Sequence, residues 1–329
     1  MIISRTPFRI SFFGGGTDYP LWYNEHKGSV LATSINKYCY ITARYLPPFF
    51  DYNYRIRYYQ REETKEISEI KHPSVRECLK FLNFNKGVEI QHNSDLPARI
   101  GIGSSSSFTV GLLHALYALQ GKMVSKRQLA LEAIHIEQDI IKENVGSQDQ
   151  TTAAFGGFNK IDFDTEHIIQ VSPITLQSQK IKNFQNHLML FFTGFSRNAS
   201  EIAQEQIKKI PKRKKELKQM FEMVEEATNI LNGSDSDICD FGRLLNKAWE
   251  IKQNLTHKIT TPAIDKIYKD AMEAGALGGK LLGAGGGGCI LFFVEPKKQN
   301  KVKKKLKNLL YIPFGFENLG SQIIYYVRD

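Results

Sequence analysis

A run of four serines at residues 104–107 separates two spaced glycines from a mostly apolar segment that continues to Leu119. Stretches rich in glycine and serine are usually flexible linkers, but linkers rarely lead directly into so apolar a segment. The pattern therefore predicts a buried helix over residues 104–119 with serines in its first turn. Backbone N–H groups at a helix N-terminus lack intrahelical partners and carry a positive partial charge. A glycine-rich segment that leads into such an N-terminus is therefore suited to bind phosphate. The alternative explanation, a helix start with an ordinary side-chain cap, would need only one of the four serines.

The hydrophobic pattern of the first half predicts an α+β arrangement. Segments rich in β-forming residues come first, and two helical patterns follow at about 104–119 and 126–143. A short strand is expected near residues 158–163, before an irregular stretch at 172–179. The earlier β-rich segments cover residues 1–13, 28–35, 38–46, 54–60 and 87–93.

The irregular stretch predicts a domain boundary near residue 175, with an N-terminal domain over residues 1–175 and a C-terminal domain over 176–329. The second half opens with a strand at 187–194 and continues with helical patterns at about 198–231, 237–256 and 262–275. It ends with a strand, a glycine loop, a strand, a lysine-rich helix and the last strand "SQIIYYVR". Two α+β domains with mainly antiparallel sheets fit this order better than a regular βαβ series.

The net charge of +10 raises the question of nucleic-acid binding. Much of the excess lies in two lysine-rich tracts, at residues 208–215 and 297–307, which have no interleaved aromatic residues for base stacking. Solvated helix faces explain such tracts better, and no recognition motif accompanies them. We expect no nucleic-acid partner, and a basic surface that attracts anionic nucleotides and sugar phosphates.

The segment "MIISRTPFRISFF" has no long apolar region behind a basic one, so we expect no secretory signal there. Apolar runs such as "CILFFV" are too short to span a bilayer, so no membrane association is expected. The cysteines are scattered and form no Cys-x-x-Cys pair for zinc or redox chemistry: Cys39, Cys78, Cys239 and Cys289. These features predict a reduced, cytoplasmic enzyme.

The helical pattern from about 129 to 143 contains one anomaly. Most apolar residues of the segment form one face, and Glu137 falls in the middle of that face. A carboxylate there must be paired, protonated or bound to a metal, because an isolated buried charge costs much free energy. Two explanations remain open, a structural salt bridge and a magnesium ligand.

Two aspartates lie beside glycine-rich stretches. Asp149 follows in "GSQDQ", where a cap or turn residue is the ordinary explanation. Because the expected phosphate loop and a candidate metal-binding carboxylate lie nearby in the chain, a catalytic role for Asp149 is the second explanation. Asp18 follows three glycines in "PFRISFFGGGTDYP" and could accept hydrogen bonds from sugar hydroxyls, or simply cap a glycine turn.

The segment "LLGAGGGGC" satisfies the pattern G-x-G-x-x-G at Gly283, Gly285 and Gly288. A dinucleotide-binding loop requires a helix after these glycines, but the β-rich "CILFFVE" follows instead. The chain also lacks the Walker-type pattern G-x-x-x-x-G-K-[ST]. We therefore interpret this loop as a close backbone approach between two strands of the second domain, next to a ligand in the first.

Three segments together resemble the signature motifs of the GHMP kinases, the superfamily of galactokinase, homoserine kinase and mevalonate kinase. They are "PFRISFFGGGTDYP", "LPARIGIGSSSS" and "GGKLLGAGGGGC", in the family's order and spanning nearly the whole chain. The first motif looks most like that of the D-glycero-D-manno-heptose 7-phosphate kinases, relatives of the fucokinases. Galactokinases have Glu-His where this chain has Gly15 and Gly16, which argues against galactose as the substrate.

The resemblance implies a ribosomal-protein-like N-terminal domain and a ferredoxin-like C-terminal domain with the active site between them. It also implies that ATP and Mg²⁺ are used. Asp149 would accept the hydroxyl proton, Arg9 would keep Asp149 ionised, and Ser105 and Glu137 would hold magnesium. The residues expected at the ATP phosphates are Gly101, Ile102, Gly103, Ser104, Ser105, Ser106 and Ser107. Those expected at the acceptor substrate are Gly14, Gly15, Gly16, Thr17, Asp18, Gly285, Gly286, Gly287 and, for a substrate phosphate, Arg197.

The implied reaction is phosphorylation of the anomeric hydroxyl of D-glycero-D-manno-heptose 7-phosphate to the 1,7-bisphosphate, toward nucleotide-activated heptose and surface glycans. A fucokinase-like or other small-molecule kinase of the superfamily is the alternative, and a homodimer is possible. A non-catalytic sugar or nucleotide sensor is an alternative of a different class. The full set of Arg9, Ser105, Glu137 and Asp149 argues against a sensor, which would not need all four.

Overall fold

The computed structural model describes residues 1–166, 168–194, 199–233 and 236–327. Its strands are β1 (Ile2–Phe13), β2 (Gly28–Tyr45), β3 (Tyr54–Arg57), β4 (Arg61–Thr64), β5 (Val88–Ser94), β6 (Phe158–Phe163), β7 (Ile169–Pro173), β8 (Leu188–Phe192), β9 (Ala276–Leu281), β10 (Cys289–Val294), β11 (Leu310–Ile312) and β12 (Gln322–Tyr326). Its α-helices are α1 (Pro20–Tyr23), α2 (Pro73–Phe81), α3 (Ser104–Leu119), α4 (Lys126–His135), α5 (Gln148–Phe155), α6 (Ser178–Asn186), α7 (Ala199–Lys209), α8 (Lys214–Asn232), α9 (Cys239–Gln253), α10 (Pro262–Glu273) and α11 (Gln299–Lys305).

The first sheet is built around β1 and β2. Its strand order is β12-β1-β2-β5-β3-β4, and β6 pairs with β2 and with β7. All pairs are antiparallel except β3 with β5. From residue 6 onward every side chain of β1 is buried, because α3 packs on the strand and α8 and α9 also contact it. A strand enclosed in this way needs apolar or paired side chains on both faces.

The segments 28–35 and 38–46, expected as two strands, form the single 18-residue strand β2. The register between β1 and β2 shifts at Pro7 and Phe8. Proline has no N–H to donate to a neighbouring strand, so an irregularity at this point keeps the rest of the ladder paired. The stretch 172–179, expected to be irregular, contains the end of β7 and the start of α6.

The second sheet has the order β11-β8-β10-β9 and is entirely antiparallel. With its intervening helices this sheet follows the ferredoxin-like pattern, which confirms the expected α+β fold class. We call the first sheet with its helices the first layer and this sheet with its helices the second layer. The segment "SQIIYYVR", expected as the last strand of the second half of the chain, forms β12 and pairs with β1 in the first sheet. The chain therefore ends in the sheet where it began, and the division near residue 175 stays a prediction.

The two layers meet at a cluster of phenylalanine rings. Phe184, fully buried on α6, lies at its centre, with ring centroids 5.7 Å from Phe12 of β1 and 4.7 Å from Phe241 of α9. The Phe158 ring stacks on it with an interplanar angle of 5°. Phe293 of β10 lies 6.0 Å away. Because these rings come from both sheets and from two helices, their packing sets how the halves of the molecule meet. Within the described ranges, none of the helices is long and apolar enough to cross a membrane.

We predict that Phe184→Ala lowers the free energy of unfolding by about 3–5 kcal/mol, because the cavity would lie where four elements pack together. The exposed Phe49, with 87% of its surface accessible, supplies the control. Phe49→Ala should change the stability by less than about 0.5 kcal/mol. Chemical denaturation of both variants checks this, and equal stabilities would show that the ring cluster does not hold the layers together.

Candidate active site

A cleft of about 1070 Å³ runs between the two layers. It is bounded by the inner face of β1, the loop that enters α3, the start of α5, and the segment that leaves β9. Three of these four elements carry the glycine motifs, and the start of α5 carries Asp149. The cleft is large enough for a nucleotide and a second small molecule together.

Arg9 of β1 and Asp149 in the first turn of α5 form a two-pronged ion pair in the cleft wall. Arg9 donates from Nε to Oδ1 at 2.7 Å and from Nη2 to Oδ2 at 2.8 Å. Its third nitrogen, Nη1, donates to the carbonyl of Gly101 at 2.6 Å. The arginine side chain is only 6% exposed, whereas 21% of the aspartate side chain is accessible. The pair therefore fixes the orientation of a carboxylate that a molecule in the cleft can still reach.

The serine-rich segment forms the start of α3, as the sequence predicts. Gly103, with φ of 73°, is the N-cap residue, and the amide of Ser107 donates to its carbonyl at 2.9 Å. The side chain of Ser107 points away from the cleft and donates to the carbonyl of Pro7. Ile102 is fully buried as well. The members of the expected phosphate loop that line the cleft are Gly101, Gly103, Ser104, Ser105 and Ser106.

The glycine loop, residues 282–288 between β9 and β10, packs directly on the backbone of the serine loop, residues 100–107 at the start of α3. A Cβ atom added to Gly283 would lie 2.7 Å from the Cα of Gly101, and one added to Gly288 would lie 2.4 Å from the carbonyl of Ile100. The amide of Cys289 donates to that same carbonyl at 2.8 Å. The glycines thus allow a close backbone approach, but their partner is the serine loop and not, as expected, a second strand of the same domain.

The rest of the glycine loop turns away from the cleft. Gly286 donates its amide to the carbonyl of Ile259 at 2.8 Å, and Gly285 is packed against the backbone of the same isoleucine. Gly283 and Ala284 line the cleft, whereas Gly285, Gly286 and Gly287 are not among its lining residues. The structure therefore does not place these three glycines where the substrate was expected to contact them.

The first glycine motif divides into a turn and a cleft wall. Thr17 is fully buried, and its hydroxyl lies 2.8 Å from the carbonyl of Gly14 and 2.9 Å from that of Ser29. A Cβ atom on Gly14 would lie 1.9 Å from the carbonyl of Ser29, so that position also belongs to the turn. The three members that line the cleft are Gly15, Gly16 and Asp18. Arg197 lies outside the described residues.

Asp18 is a buried acceptor at the edge of the cleft. Its carboxylate accepts hydrogen bonds from the Gly16 amide at 2.9 Å and from Nε2 of Gln148 at 2.9 Å. Burial raises its pKa above the ordinary value, and the negative charge of Asp149 adds to the effect. The Oε1 atom of Gln148 is buried and has no hydrogen-bond partner among the described residues. A sugar hydroxyl could therefore donate to Gln148 while remaining close to Asp18.

Glu137 lies on a π-helical turn, Ile136–Ile140, that follows α4. The extra residue of this turn breaks the periodicity assumed for a regular helix, so Ile140, expected on the buried face, is 37% exposed. Glu137 is fully buried, and its Oε2 accepts hydrogen bonds from Ser106 at 2.8 Å and Gln150 at 2.5 Å. Burial raises its pKa to about 7. These donors are neutral, so the structure does not support the salt-bridge explanation.

The serine that contacts Glu137 is Ser106, whereas Ser105, the expected partner, is exposed in the cleft. Glu137 itself is not a lining residue and lies behind Ser106. Its Oε1 atom is buried and accepts no well-aligned hydrogen bond in the described part of the chain, although the Thr109 hydroxyl lies close enough to lower the pKa of the carboxyl. A carboxylate oxygen in this position behind a hydroxyl is compatible with a hard cation, although the group would need to become accessible from the cleft.

Several cleft residues were not predicted from the sequence. Ser11 follows Arg9 by two positions on β1 and therefore faces the same side of the strand. Lys252 of α9 and Lys280 of β9 are buried in the cleft wall. A lone lysine within the apolar "ALGGKL" of β9 is a signal that could have identified Lys280. Beyond the serine loop, the cleft is also lined by Tyr58, Tyr59, Lys71, His72 and Asn93.

Comparison with known proteins gives matches to one family along most of the chain. A family model described as the N terminal domain of the GHMP kinases matches residues 72–157, and one described as their C terminal matches residues 224–312. The chain is 28% identical over 331 residues to D-glycero-alpha-D-manno-heptose 7-phosphate kinase of Campylobacter jejuni, with 97% of each chain covered. It is 26% identical over 339 residues to galactokinase of Pyrococcus furiosus, with 92% of this chain and 91% of that protein covered.

Among solved structures, the fold is similar to the crystal structure of a D-glycero-D-manno-heptose 1-phosphate kinase from Bacteroides thetaiotaomicron. The TM-score is 0.81 at 22% sequence identity, and all of both chains is covered. At this identity the similarity concerns the fold, including the arrangement of both layers around the cleft.

We predict that the burial of Glu137 makes the metal-free protein less stable as the pH rises. Its pKa is raised from 4.5 to about 7 in the folded protein, so its stabilising contribution is complete below pH 4.5 and is lost as the pH passes through about 7. Glu137→Gln should remove this dependence, which amounts to roughly 3 kcal/mol at most. Unfolding in magnesium-free buffer between pH 4.5 and 7.5 tests this, and parallel curves for the two proteins would contradict it.

Proposed function

The chain belongs to the GHMP kinase family, and from that premise we propose that it phosphorylates the anomeric hydroxyl of D-glycero-D-manno-heptose 7-phosphate with ATP. The product would be the 1,7-bisphosphate. The observation that carries the proposal is the ion pair of Arg9 and Asp149 beside the serine loop. The choice of sugar is supported by the relative named for this activity, which matches along 97% of both chains.

In the proposed reaction the acceptor hydroxyl oxygen attacks the γ-phosphorus of ATP. The bond between that phosphorus and the bridging oxygen breaks, ADP leaves, and the hydroxyl proton passes to Asp149. Arg9 holds both carboxylate oxygens, so the carboxylate orients the hydroxyl without rotating. Arg9 also binds the carbonyl of Gly101, which links the position of Asp149 to that of the phosphate loop. Positioning of this kind supplies much of the catalysis in phosphoryl transfer.

The serine loop is proposed to bind the phosphates of ATP through the backbone at residues 101–107 and the N-terminus of α3. Beyond this loop, the rings of Tyr58, Tyr59 and His72 offer flat surfaces for the nucleotide base. Burial lowers the pKa of His72 to about 4, so its ring is neutral at physiological pH. A neutral ring can stack on a base without the cost of burying a charge.

Magnesium would enter as part of the ATP complex. Within the described ranges, no three acidic, histidine or cysteine side chains cluster into a metal site, so much of the coordination would come from phosphate oxygens and water. The residues fit this role, because one oxygen of Glu137 accepts no well-aligned hydrogen bond among the described residues, Ser106 binds the other, and Ser105 and Ser106 line the cleft. We propose Glu137 and Ser105 as ligands, with Ser106 as the hydroxyl already bound to Glu137. The ion would neutralise charge on the phosphate oxygens.

The acceptor sugar is proposed to lie against Gly15, Gly16 and Asp18, with Gln148 as a further acceptor. Gly14 and Thr17 would act by shaping the turn that presents these groups. Contacts of the sugar with Gly285, Gly286, Gly287 and Arg197 stay predictions, as do the homodimer and the cytoplasmic location.

We predict that Asp149→Asn lowers turnover at least 10²-fold, the lower end of the range for general-base groups, while nucleotide binding is retained. The amide keeps the size of the side chain but cannot take up the proton. Asp162→Asn is the matched control, because this aspartate of β6 accepts a hydrogen bond from Ser29 and does not line the cleft. Steady-state kinetics and a nucleotide titration decide the matter. If the Asp149→Asn variant kept most of its activity, Asp149 would be excluded from catalysis.

We predict a preference for a seven-carbon sugar 7-phosphate when the protein, ATP and magnesium are offered a panel of acceptors. The panel would include the unphosphorylated heptose, mannose 6-phosphate, fucose, galactose and homoserine. A site built for a phosphate leaves its cations unpaired without one, so the unphosphorylated heptose should react one to several powers of ten less efficiently. The new phosphate should lie on the anomeric carbon, giving an acid-labile product without a reducing end.

The outcomes of the acceptor panel separate the alternatives. A preference for fucose or galactose would overturn the choice of substrate and favour a fucokinase-like enzyme. A phosphate added elsewhere on the heptose would overturn the choice of hydroxyl, a relevant test since one protein of similar fold is named as a 1-phosphate kinase. Tight nucleotide binding without turnover of any acceptor would favour a sensor.

A further inference from the structure

Two lysines lie in the wall of the cleft, and no carboxylate among the described residues contacts either of them directly. Lys252 on α9 is 7% exposed and Lys280 on β9 is 4% exposed, and both line the cleft. Neither has a salt-bridge partner among the described residues. A buried ammonium group without a counter-charge is costly, so such groups are usually paired or bound to a ligand. Two of them beside one cleft therefore call for a functional explanation.

The protein satisfies these ammonium groups only in part. Lys252 donates from Nζ to the carbonyl of Gly283 at 2.6 Å and to that of Leu281 at 3.3 Å. Lys280 donates from Nζ to the carbonyl of Phe12 at 2.7 Å. Each ammonium group carries three N–H donors, so one donor of Lys252 and two of Lys280 remain for another partner.

A third polar group of the cleft wall is also unsatisfied. The hydroxyl of Ser11 is buried, lines the same cleft, and has no hydrogen-bond partner in the described residues. Ser11 precedes Phe12, whose carbonyl binds Lys280, so the hydroxyl and the ammonium group belong to one region of β1. Ser11 also follows Arg9 by two positions, which places this region beside the proposed catalytic pair.

The charges around the two lysines favour an anion. Burial lowers the pKa of Lys252 to about 8, and the positive charge of Arg9 contributes. Burial also lowers the pKa of Lys280 well below its ordinary value, with further contributions from Lys252 and Arg9. Asp18 is the carboxylate that acts in the opposite direction on both, and it already accepts hydrogen bonds from Gly16 and Gln148. Arg9 is engaged by Asp149, so the two lysines, when protonated, share the single carboxylate of Asp18, and a bound anion would favour their charged form.

We propose that Lys252, Lys280 and Ser11 form a second phosphoryl-binding site in the cleft, distinct from the serine loop. This inference rests on the proposed function, since it assumes a phosphoryl-transfer reaction beside Arg9 and Asp149. A tetrahedral oxyanion offers several oxygens to the three remaining ammonium donors and the serine hydroxyl, and it supplies the missing negative charge. Its source is either the phosphate of the acceptor sugar or the phosphoryl group passing from ATP to that sugar.

A structural role makes the opposite prediction for stability. If the lysines served mainly to tie β1 and the glycine loop together through their carbonyl contacts, their removal would destabilise the fold. If they are unpaired charges held for a ligand, replacement by methionine removes a buried charge and keeps most of the volume. Such replacements are often neutral or stabilising.

The test compares Lys252→Met and Lys280→Met with the control Lys160→Met. Lys160 lies on β6, pairs with Asp162 and Glu225, and does not line the cleft. We expect both cleft variants to melt at or above the temperature of the unchanged protein. Each should lose about ten- to a hundredfold in kcat/KM with the sugar phosphate, as expected for a charge-assisted contact. The control should keep its kcat/KM. A lower melting temperature with unchanged kinetics would overturn the proposal.

Kinetics with phosphorylated and unphosphorylated forms of one sugar identify the source of the phosphoryl group. If the site holds the acceptor's phosphate, KM rises for the sugar phosphate only, and the preference over the unphosphorylated sugar collapses. If it holds the phosphoryl group in transit, kcat falls by the same factor with both sugars. Either result supports the site.

A binding measurement separates this proposal from the proposed function. The protein saturated with ADP would be titrated calorimetrically with inorganic phosphate, and Lys280→Met should weaken phosphate binding at least tenfold. If no sugar phosphate is turned over but phosphate binding depends on Lys280, the proposed substrate is wrong and the site stands. If turnover is as proposed but Lys280→Met and Lys252→Met leave phosphate binding unchanged, the site is overturned.

Discussion

The backbone contact between the serine loop and the glycine loop determines much of the remaining architecture. The carbonyl of Ile100 accepts the amide of Cys289, and Gly283 lies against Gly101 with no room for a side chain. Through this contact β10 of the second sheet is joined to the loop that enters α3 of the first layer. Arg9 in turn binds the carbonyl of Gly101, so the proposed catalytic carboxylate is tied to the same point. A shift of the second layer would therefore move the serine loop and Asp149 together.

The charged groups in the cleft wall and directly behind it lie in three different electrostatic situations. Asp149 is paired on both oxygens and still accessible, which suits a group that must accept a proton from a bound molecule. Glu137 is buried among neutral donors and has a raised pKa, which suits a group whose charge appears when a cation binds. Lys252 and Lys280 are buried amines with lowered pKa values. Among the described residues only carbonyls contact them directly, so an anionic ligand would favour their charged form. The role proposed for each group therefore follows from its burial and its partners, and not from its residue type alone.

The agreement between sequence and structure is closest where one local pattern dominates. The apolar segment after the serines predicted α3 at residues 104–119, and the helix spans Ser104–Leu119. The strand expected near 158–163 is β6, Phe158–Phe163. Agreement fails where a distant contact overrides the local pattern. The π-helical turn at Glu137 cannot be predicted from helical periodicity, because its extra residue interrupts that periodicity. In the folded protein the Glu137 carboxylate contacts Ser106 and Gln150, which are distant from it in the helical pattern. The last strand joined the first sheet because β1 offered a free edge to β12.

The sequence by itself determined the fold class, the three glycine-bearing motifs and the identity of the carboxylates and arginine that meet in the cleft. The fold class depends on hydrophobic period and turn residues, which are local properties, whereas the choice of Arg9 and Asp149 depends on the resemblance of three motifs to those of the GHMP kinases. Only the tertiary structure decided which hydroxyl faces Glu137, that Gly285 turns toward Ile259, and that Lys252 and Lys280 share one wall with Ser11. Such facts depend on distances between residues far apart in the chain. Those distances are set by how the sheets and the phenylalanine cluster pack, which no short segment encodes.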